Sequence, residues 1–279
     1  MAGDFKISVD GREVTAHEGE TILQVLRREE VETPTLCYHD NLTPAKACRA
    51  CVVELKGSRA LVASCERKAE AGMEIQTESE RVVNARRGVF ELLLSQNDTE
   101  TAPNLVAQAQ RIGADPEHYS GLRYERPLYD DNPLFVRDYE KCILCYRCVE
   151  ACGVDAQNTF ALTVSGRGFE AGIAAGWGET MPDSACVFCG NCVAVCPTGA
   201  IMDRREHQMR VQGRYDESQM QVTQTTCSYC GVGCQLELHV DQRTNEIVKV
   251  TSPETHPVTF GFLCVKGRYG YSFTEAGRE

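Results

Sequence analysis

CILCYRCVEAC (residues 142–152) and CVFCGNCVAVC (186–196) each place four cysteines in eleven residues with the spacing C-x2-C-x2-C-x3-C. Thiolates are soft metal ligands, and three of them spaced two residues apart can be presented by one tight loop whose backbone N–H groups turn towards the sulfur atoms. Such a loop suits three corners of an iron–sulfur cubane. The fourth thiolate, placed on a short helix, must reach elsewhere. Structural zinc is the competing chemistry, but it usually takes two separated C-x2-C pairs around one ion, unlike eight thiols in a doubled run.

The remaining cysteines complete four groups of four: Cys37, Cys48, Cys51 and Cys65 before these runs, and Cys227, Cys230, Cys234 and Cys264 after them. In a reducing compartment paired cysteines read as metal ligands or redox centres before they read as disulfides. The start, MAGDFKISVDGREV, has no basic segment followed by an apolar one, and no window approaches eighteen consecutive apolar residues, so no membrane span is expected and a cytoplasmic location is. A net charge of −11 argues against nucleic-acid binding and for partners with basic docking patches.

The elements that must hold these thiols follow from pattern. FKISV and EVTA flank Asp10-Gly11, a hairpin signal, and Thr21 opens a helix with Ile22, Val25 and Leu26 on one face. Thr77 and Glu80 have the spacing of a capping box before a helix whose apolar face is Val82, Val83, Val89, Phe90, Leu93 and Leu94, ending near residue 95. SQNDTE reads as a break, APNLVAQAQRIG as a short helix and RPLYDDNP as a loop. In VSGRGFEAGIAAGWGE the glycines Gly166, Gly168 and Gly172 lack the G-x-G-x-x-G spacing of a phosphate loop, so a turn-rich connector is expected. QLELHV and EIVKV, separated by residues 241–245, predict two strands of a small β-rich cap.

The doubled run is the spacing of bacterial two-cluster ferredoxins, in which the fourth cysteine of each run crosses to the other cluster. On that pattern Cys142, Cys145, Cys148 and Cys196 hold one [4Fe-4S] cluster, and Cys186, Cys189, Cys192 and Cys152 hold the other. Pro197 follows Cys196 as the pattern has it, whereas Gly153 follows Cys152, a departure at a turn and not at a ligand. Cys37-x10-Cys48-x2-Cys51-x13-Cys65 resembles a [2Fe-2S] β-grasp site with a first gap longer than in plant-type ferredoxins. CYHDNLTPAKACRACVVEL, followed by GMEIQT and RRGVFELLL, is similar to the N-terminal [2Fe-2S] domain shared by the large iron–sulfur subunit of respiratory complex I, iron-only hydrogenases and the α subunit of NAD-dependent formate dehydrogenases.

Those relatives usually carry a further cluster after this helix, held by one histidine and three cysteines; SQNDTETAPNLVAQAQRIG offers neither residue type, so that station is expected to be missing. TTCSYCGVGCQLELHV with GFLCVKGRYG resembles the N-terminal [4Fe-4S] domain of molybdenum or tungsten bis-pterin oxidoreductases, formate dehydrogenases most closely. The resemblance implies that Lys266 lies between the last cluster and the pterin. His118 reads as a loop residue, and His39 and His239 as ordinary polar residues beside a cluster loop or on a strand.

The expected architecture is α+β and multidomain: a β-grasp [2Fe-2S] ferredoxin domain (1–78), a helical connector (79–135), a bacterial-type two-[4Fe-4S] ferredoxin domain (136–215) and a small β-rich [4Fe-4S] cap (216–279). One [2Fe-2S] and three [4Fe-4S] clusters would form an electron-transfer chain without a complete catalytic site of its own. The resemblance implies a hetero-oligomer, with the molybdenum or tungsten bis-pterin on a catalytic partner subunit, or on a pterin domain removed from this chain, and FMN and NAD on a flavin/NAD-binding iron–sulfur partner. The alternative is a diaphorase-type iron–sulfur subunit of an NAD-linked hydrogenase or electron-bifurcating complex.

Overall fold

The computed structural model describes residues 3–119, 125–176, 178 and 180–274. Parts of the expected connector (120–124), the glycine-rich insertion (177 and 179) and the cap (275–279) lie outside the described residues, as do 1 and 2. The chain forms two units, one of Met1–Tyr38, Pro44–Tyr124 and Ile143–Cys145, the other of His39–Thr43, Glu125–Cys142 and Tyr146–Glu279.

In the first unit, β1 (Asp4–Val9) and β2 (Arg12–His17) pair antiparallel across Asp10 and Gly11. Both turn residues have positive φ, 49° and 80°, the left-handed pair that a two-residue hairpin needs. Helix α1 (Ile22–Arg28) begins as the sequence predicts: Thr21 Oγ1 accepts from the Gln24 N–H at 3.2 Å while Gln24 Oε1 accepts from the Thr21 N–H at 2.8 Å. Its Ile22, Val25 and Leu26 pack on Ile7, Val9, Val14, Ala16 and Ile75. Strands β3 (Val52–Leu55), β4 (Val62–Ala63) and β5 (Glu74–Gln76) complete a five-stranded sheet in the order β2-β1-β5-β3-β4, with β1 and β5 parallel.

Helix α2 (Glu80–Gln96) follows the predicted span, but the expected capping box at Thr77 is wrong. Ser79 is the cap, accepting from the Val82 N–H at 3.3 Å, and Thr77 instead donates its N–H and hydroxyl to the Asp10 carboxylate at 2.7 and 2.6 Å. A spacing rule cannot see that the hairpin turn competes for Thr77. Helix α3 (Pro103–Arg111) starts on a proline, whose missing N–H costs nothing at a helix start. Its Leu105 and Ala109 share one apolar cluster with Phe90, Leu36, Cys37, Ile143 and Cys145.

In the second unit, β6 (Leu128–Tyr129), inside the stretch expected as loop, pairs with β7 (Phe135–Asp138). Helix α4 (Arg147–Cys152) carries two thiols of the first run. The glycine-rich insertion forms an antiparallel hairpin of β8 (Leu162–Ser165) and β9 (Gly172–Ala175), more than the connector its composition suggests. At Gly166, φ is 72° and a Cβ would fall against the Glu170 carbonyl, so the turn requires glycine. Helix α5 (Asn191–Ala194), strand β10 (Ile201–Asp203) and helix α6 (Arg204–Val211) follow, giving a sheet in the order β10-β7-β6.

The cap sheet runs β11 (Met220–Thr226), β12 (Gln235–Asp241), β13 (Glu246–Thr251), all antiparallel. β12 and β13 are the predicted strands. β11, MQVTQTT, is almost wholly exposed and carries no apolar alternation, so only its ladder with β12 reveals it. The short helix α7 (Val265–Tyr269) closes the cap. Among the described residues no helix is long and apolar enough to cross a membrane.

Candidate metal centres

The four N-terminal thiols converge. Cys37, Cys51 and Cys65 are buried, Cys48 is half-buried, and the Cys48 and Cys37 sulfur atoms are 3.3 Å apart. Cys48 and Cys65 both contact the Cys37 thiol and hold it down at about 2, and Cys65 holds Cys51 down to about 6. Cys37 pushes the Cys48 thiol up, and Cys37 and Cys51 push up that of Cys65. Four mutually perturbing thiols in an apolar setting are a donor set for a cation-rich centre, not four inert side chains. Leu23 of α1 packs with Tyr38, Cys51, Ala63 and Cys65, so one helix serves both the core and the thiol site.

The two ferredoxin-like loops repeat each other in backbone conformation. Leu144 (φ 51°) and Tyr146 (φ 64°) flank Cys145, as Phe188 (φ 55°) and Gly190 (φ 71°) flank Cys189, and α4 and α5 begin at the next residue. Left-handed leucine, tyrosine and phenylalanine each cost roughly 1–2 kcal/mol and persist where surroundings impose them. Backbone donors also reach sulfur: Phe188 N–H to Cys186 Sγ at 3.3 Å within the second loop, and Ala161 N–H, just before β8, to Cys152 Sγ at 3.2 Å. These are the residues and the loop shape that fit a cubane.

Electrostatics divides the eight thiols. Burial pushes Cys186 up to about 11, with Cys189 and Cys152 adding to the shift, and burial likewise raises Cys189, with Cys152 adding again. Cys192, also raised by burial, feels Cys189, Cys186 and Cys152. Cys152 therefore lies within electrostatic reach of the second run, although it is written into the first. In the first run Cys145 and Cys148 are buried, Cys142 and Cys196 half-buried, and Cys142 and Cys148 both act on the buried Tyr139 hydroxyl.

In the cap, Cys227 is buried, Cys234 half-buried, and Cys230 and Cys264 are exposed. The Cys227 N–H donates to the Cys234 carbonyl at 2.8 Å, pinning the loop's two ends. Burial raises the Cys234 thiol, and Cys227, Cys230 and Cys264 raise it further, so this group also gathers. Cys264 is the N-cap of α7 and Lys266 stands exposed on that helix. Among the described residues no three His, Cys, Asp or Glu side chains surround the position of a single metal ion; the donor sets rest on thiol proximity and loop shape.

The histidines take structural places. His39 is buried, its Nε2 3.2 Å from Glu254 Oε1, and its Nδ1 accepts from the Asn41 N–H at 3.2 Å. Burial, then Lys249, holds His239 below its usual range, and its Nε2 lies 2.8 Å from Thr251 Oγ1. His118 sits 3.9 Å from Glu91. Pattern reading passed over Arg268, two residues beyond Lys266: it is almost fully buried, and its Nε donates to the Cys189 carbonyl at 2.9 Å. The available signal was its spacing of four from Cys264, one helical turn.

With the thiol groups in place, the class of each segment can be stated. Residues 3–80 match the 2Fe-2S iron-sulfur cluster binding domain, 141–200 the 4Fe-4S dicluster domain, and 220–276 the molybdopterin oxidoreductase Fe4S4 domain. Over 278 residues the chain is 31% identical to the NADPH-Fe(3+) oxidoreductase subunit alpha of Geobacter sulfurreducens, covering 96% of this chain and 31% of that protein. It is 25% identical over 317 residues to a putative formate dehydrogenase of Staphylococcus aureus, covering 97% and 31%. A crystal structure of an NAD+-reducing [NiFe]-hydrogenase in the H2-reduced state superposes with a TM-score of 0.64 at 26% identity, covering 72% of this chain and 87% of that one. The chain spans about a third of the length of these curated relatives.

Proposed function

We propose that this chain is the electron-carrying iron–sulfur part of an NAD-linked, formate dehydrogenase-type complex, relaying electrons between a molybdenum or tungsten pterin site and a flavin/NAD subunit. One observation carries the reading: a 2Fe-2S domain, a 4Fe-4S dicluster domain and a molybdopterin oxidoreductase Fe4S4 domain follow one another in a single chain. Cys37, Cys48, Cys51 and Cys65 would hold the [2Fe-2S] cluster. The three [4Fe-4S] clusters would belong to Cys142/Cys145/Cys148/Cys196, Cys186/Cys189/Cys192/Cys152 and Cys227/Cys230/Cys234/Cys264. Such clusters supply one-electron carriers that couple two-electron chemistries at separate sites.

The chain's own residues set the conditions. The N–H groups of Phe188 and Ala161 reach sulfur, which favours the more negative, reduced state, whereas apolar packing around Cys37 and Cys51 excludes water and opposes it there. Cys145 shares an apolar cluster with Cys37 and the partly buried Cys48. The exposure of Cys230, Cys264 and Lys266 supports a cap that meets its partner there.

A second reading is the iron–sulfur subunit of an NAD-linked hydrogenase, favoured by the superposition on the NAD+-reducing [NiFe]-hydrogenase. Anaerobic native purification tests both. About fourteen irons per chain are expected, with a pterin-containing partner. A stable complex holding nickel and no pterin would establish the second reading, and a colourless zinc-loaded protein would overturn both.

A further inference from the structure

Arg268 keeps 1% of its surface exposed, yet among the described residues its side chain bonds no carboxylate. Its Nε donates to the Cys189 carbonyl at 2.9 Å, Nη2 to Asn191 Oδ1 at 3.2 Å and Nη1 to the Val250 carbonyl at 3.1 Å. Its own backbone N–H donates to the Cys264 carbonyl at 3.1 Å. One residue is therefore hydrogen-bonded to the main chain of a cysteine from each of two thiol groups. Asn191 Oδ1 also accepts from the Leu263 N–H at 3.0 Å, a second tie between the ferredoxin-like loop and the segment bearing Cys264.

The loop is shaped around this guanidinium. Gly190, between Cys189 and Asn191, has φ 71°, and a Cβ on it would overlap Arg268 Cδ and come within 2.8 Å of Nε. Burying a cation on neutral oxygens costs several kcal/mol unless negative charge lies close by. Asp203, itself buried, feels the Arg268 charge.

We propose that Arg268 is a positioning residue between two cluster sites: its charge favours the reduced state at Cys186, Cys189, Cys192 and Cys152, and its bonds fix that loop to the helix beginning at Cys264. The proposal rests on the cluster assignment above. Reduction adds one negative charge to a cluster, so a cation fixed on the ligand loop raises the potential, and its removal lowers it.

The test is an EPR-monitored redox titration of wild-type, Arg268→Met and Arg268→Lys holoprotein, with iron counted in each. Arg268→Met should keep its iron while one [4Fe-4S] midpoint falls by at least 59 mV, a tenfold lower reduced-to-oxidised ratio at fixed potential, and the [2Fe-2S] midpoint stays. Arg268→Lys, which keeps the charge but cannot span three acceptors, should restore more than half of the shift. Unchanged midpoints in iron-loaded Arg268→Met overturn the proposal. If Arg268→Met fails to load, a loaded Arg268→Lys upholds the charge role and an equally empty one overturns it in favour of plain structural support. Wild-type protein that holds no iron would sink the cluster assignment instead.

Discussion

Lys249 Nζ lies 2.8 Å from Glu206 Oε2, joining β13 to α6, and Arg210 supplies a second cation at 2.7 Å. Burial pushes the Glu206 carboxyl up, but Lys249 and Arg210 outweigh it and hold it below its usual range. Lys249→Met leaves a buried carboxylate with one cation, at a cost of about 3 kcal/mol. A depressed carboxylate contributes its stability above the unfolded value, and that stability is lost as pH falls through the folded one. The thermal midpoints of wild type and Lys249→Met should therefore differ at neutral pH and converge on acidification. A gap that persists at low pH would contradict this assignment.

Asp203 has the opposite sign. Burial raises it to about 6, against the pull of Arg268 and Lys249 and with the push of Glu206. A raised acid contributes stability below its unfolded pKa and loses it as pH rises through the folded value, here between about 4 and 6. Asp203→Asn should thus stabilise the second unit at pH 8, by up to about 3 kcal/mol, and change little at pH 4. Thermal unfolding at the two pH values decides it; equal effects at both would exclude titration of Asp203 as the cause.

What could be read in advance was whatever is local. Asp10-Gly11 specifies its hairpin because only left-handed residues close it, and the cysteine spacings specify loops because three thiols must face one point. Thr77 was misread because its hydroxyl serves Asp10, sixty-seven residues away. β11 was missed because an edge strand with two wet faces carries no apolar period. Arg268 escaped for a related reason: a charged residue two positions from Lys266 reads as solvated until the fold buries it against Cys189. Long-range competition and burial of charge are properties of the assembled chain and not of any window.

Leu23 ties the helix α1 to the first thiol group, fully buried with Cys51 and Cys65. Leu23→Ala removes that wall and should cost about 3 kcal/mol, with a cavity next to two ligand candidates. Beyond the lower thermal midpoint, the visible spectrum of the [2Fe-2S] centre should bleach several-fold faster under an iron chelator, while the [4Fe-4S] signals bleach at the wild-type rate. Uniform bleaching of all centres would show that Leu23 supports the fold alone.

Cys152 stands electrostatically with Cys186, Cys189 and Cys192, although it is written into the first run. Crossed ligation makes a prediction that single substitutions cannot. If Cys152 and Cys189 serve one cluster, Cys152→Ser, Cys189→Ser and the double variant should each lose the same four irons, leaving about ten of fourteen. Cys152→Ser combined with Cys145→Ser should lose two clusters, leaving about six. Iron analysis of the anaerobically purified variants, with EPR to count the surviving centres, separates the patterns. Uncrossed ligation would exchange them: the Cys152/Cys145 pair would keep about ten irons and the Cys152/Cys189 pair about six, because each run would then fill its own cluster.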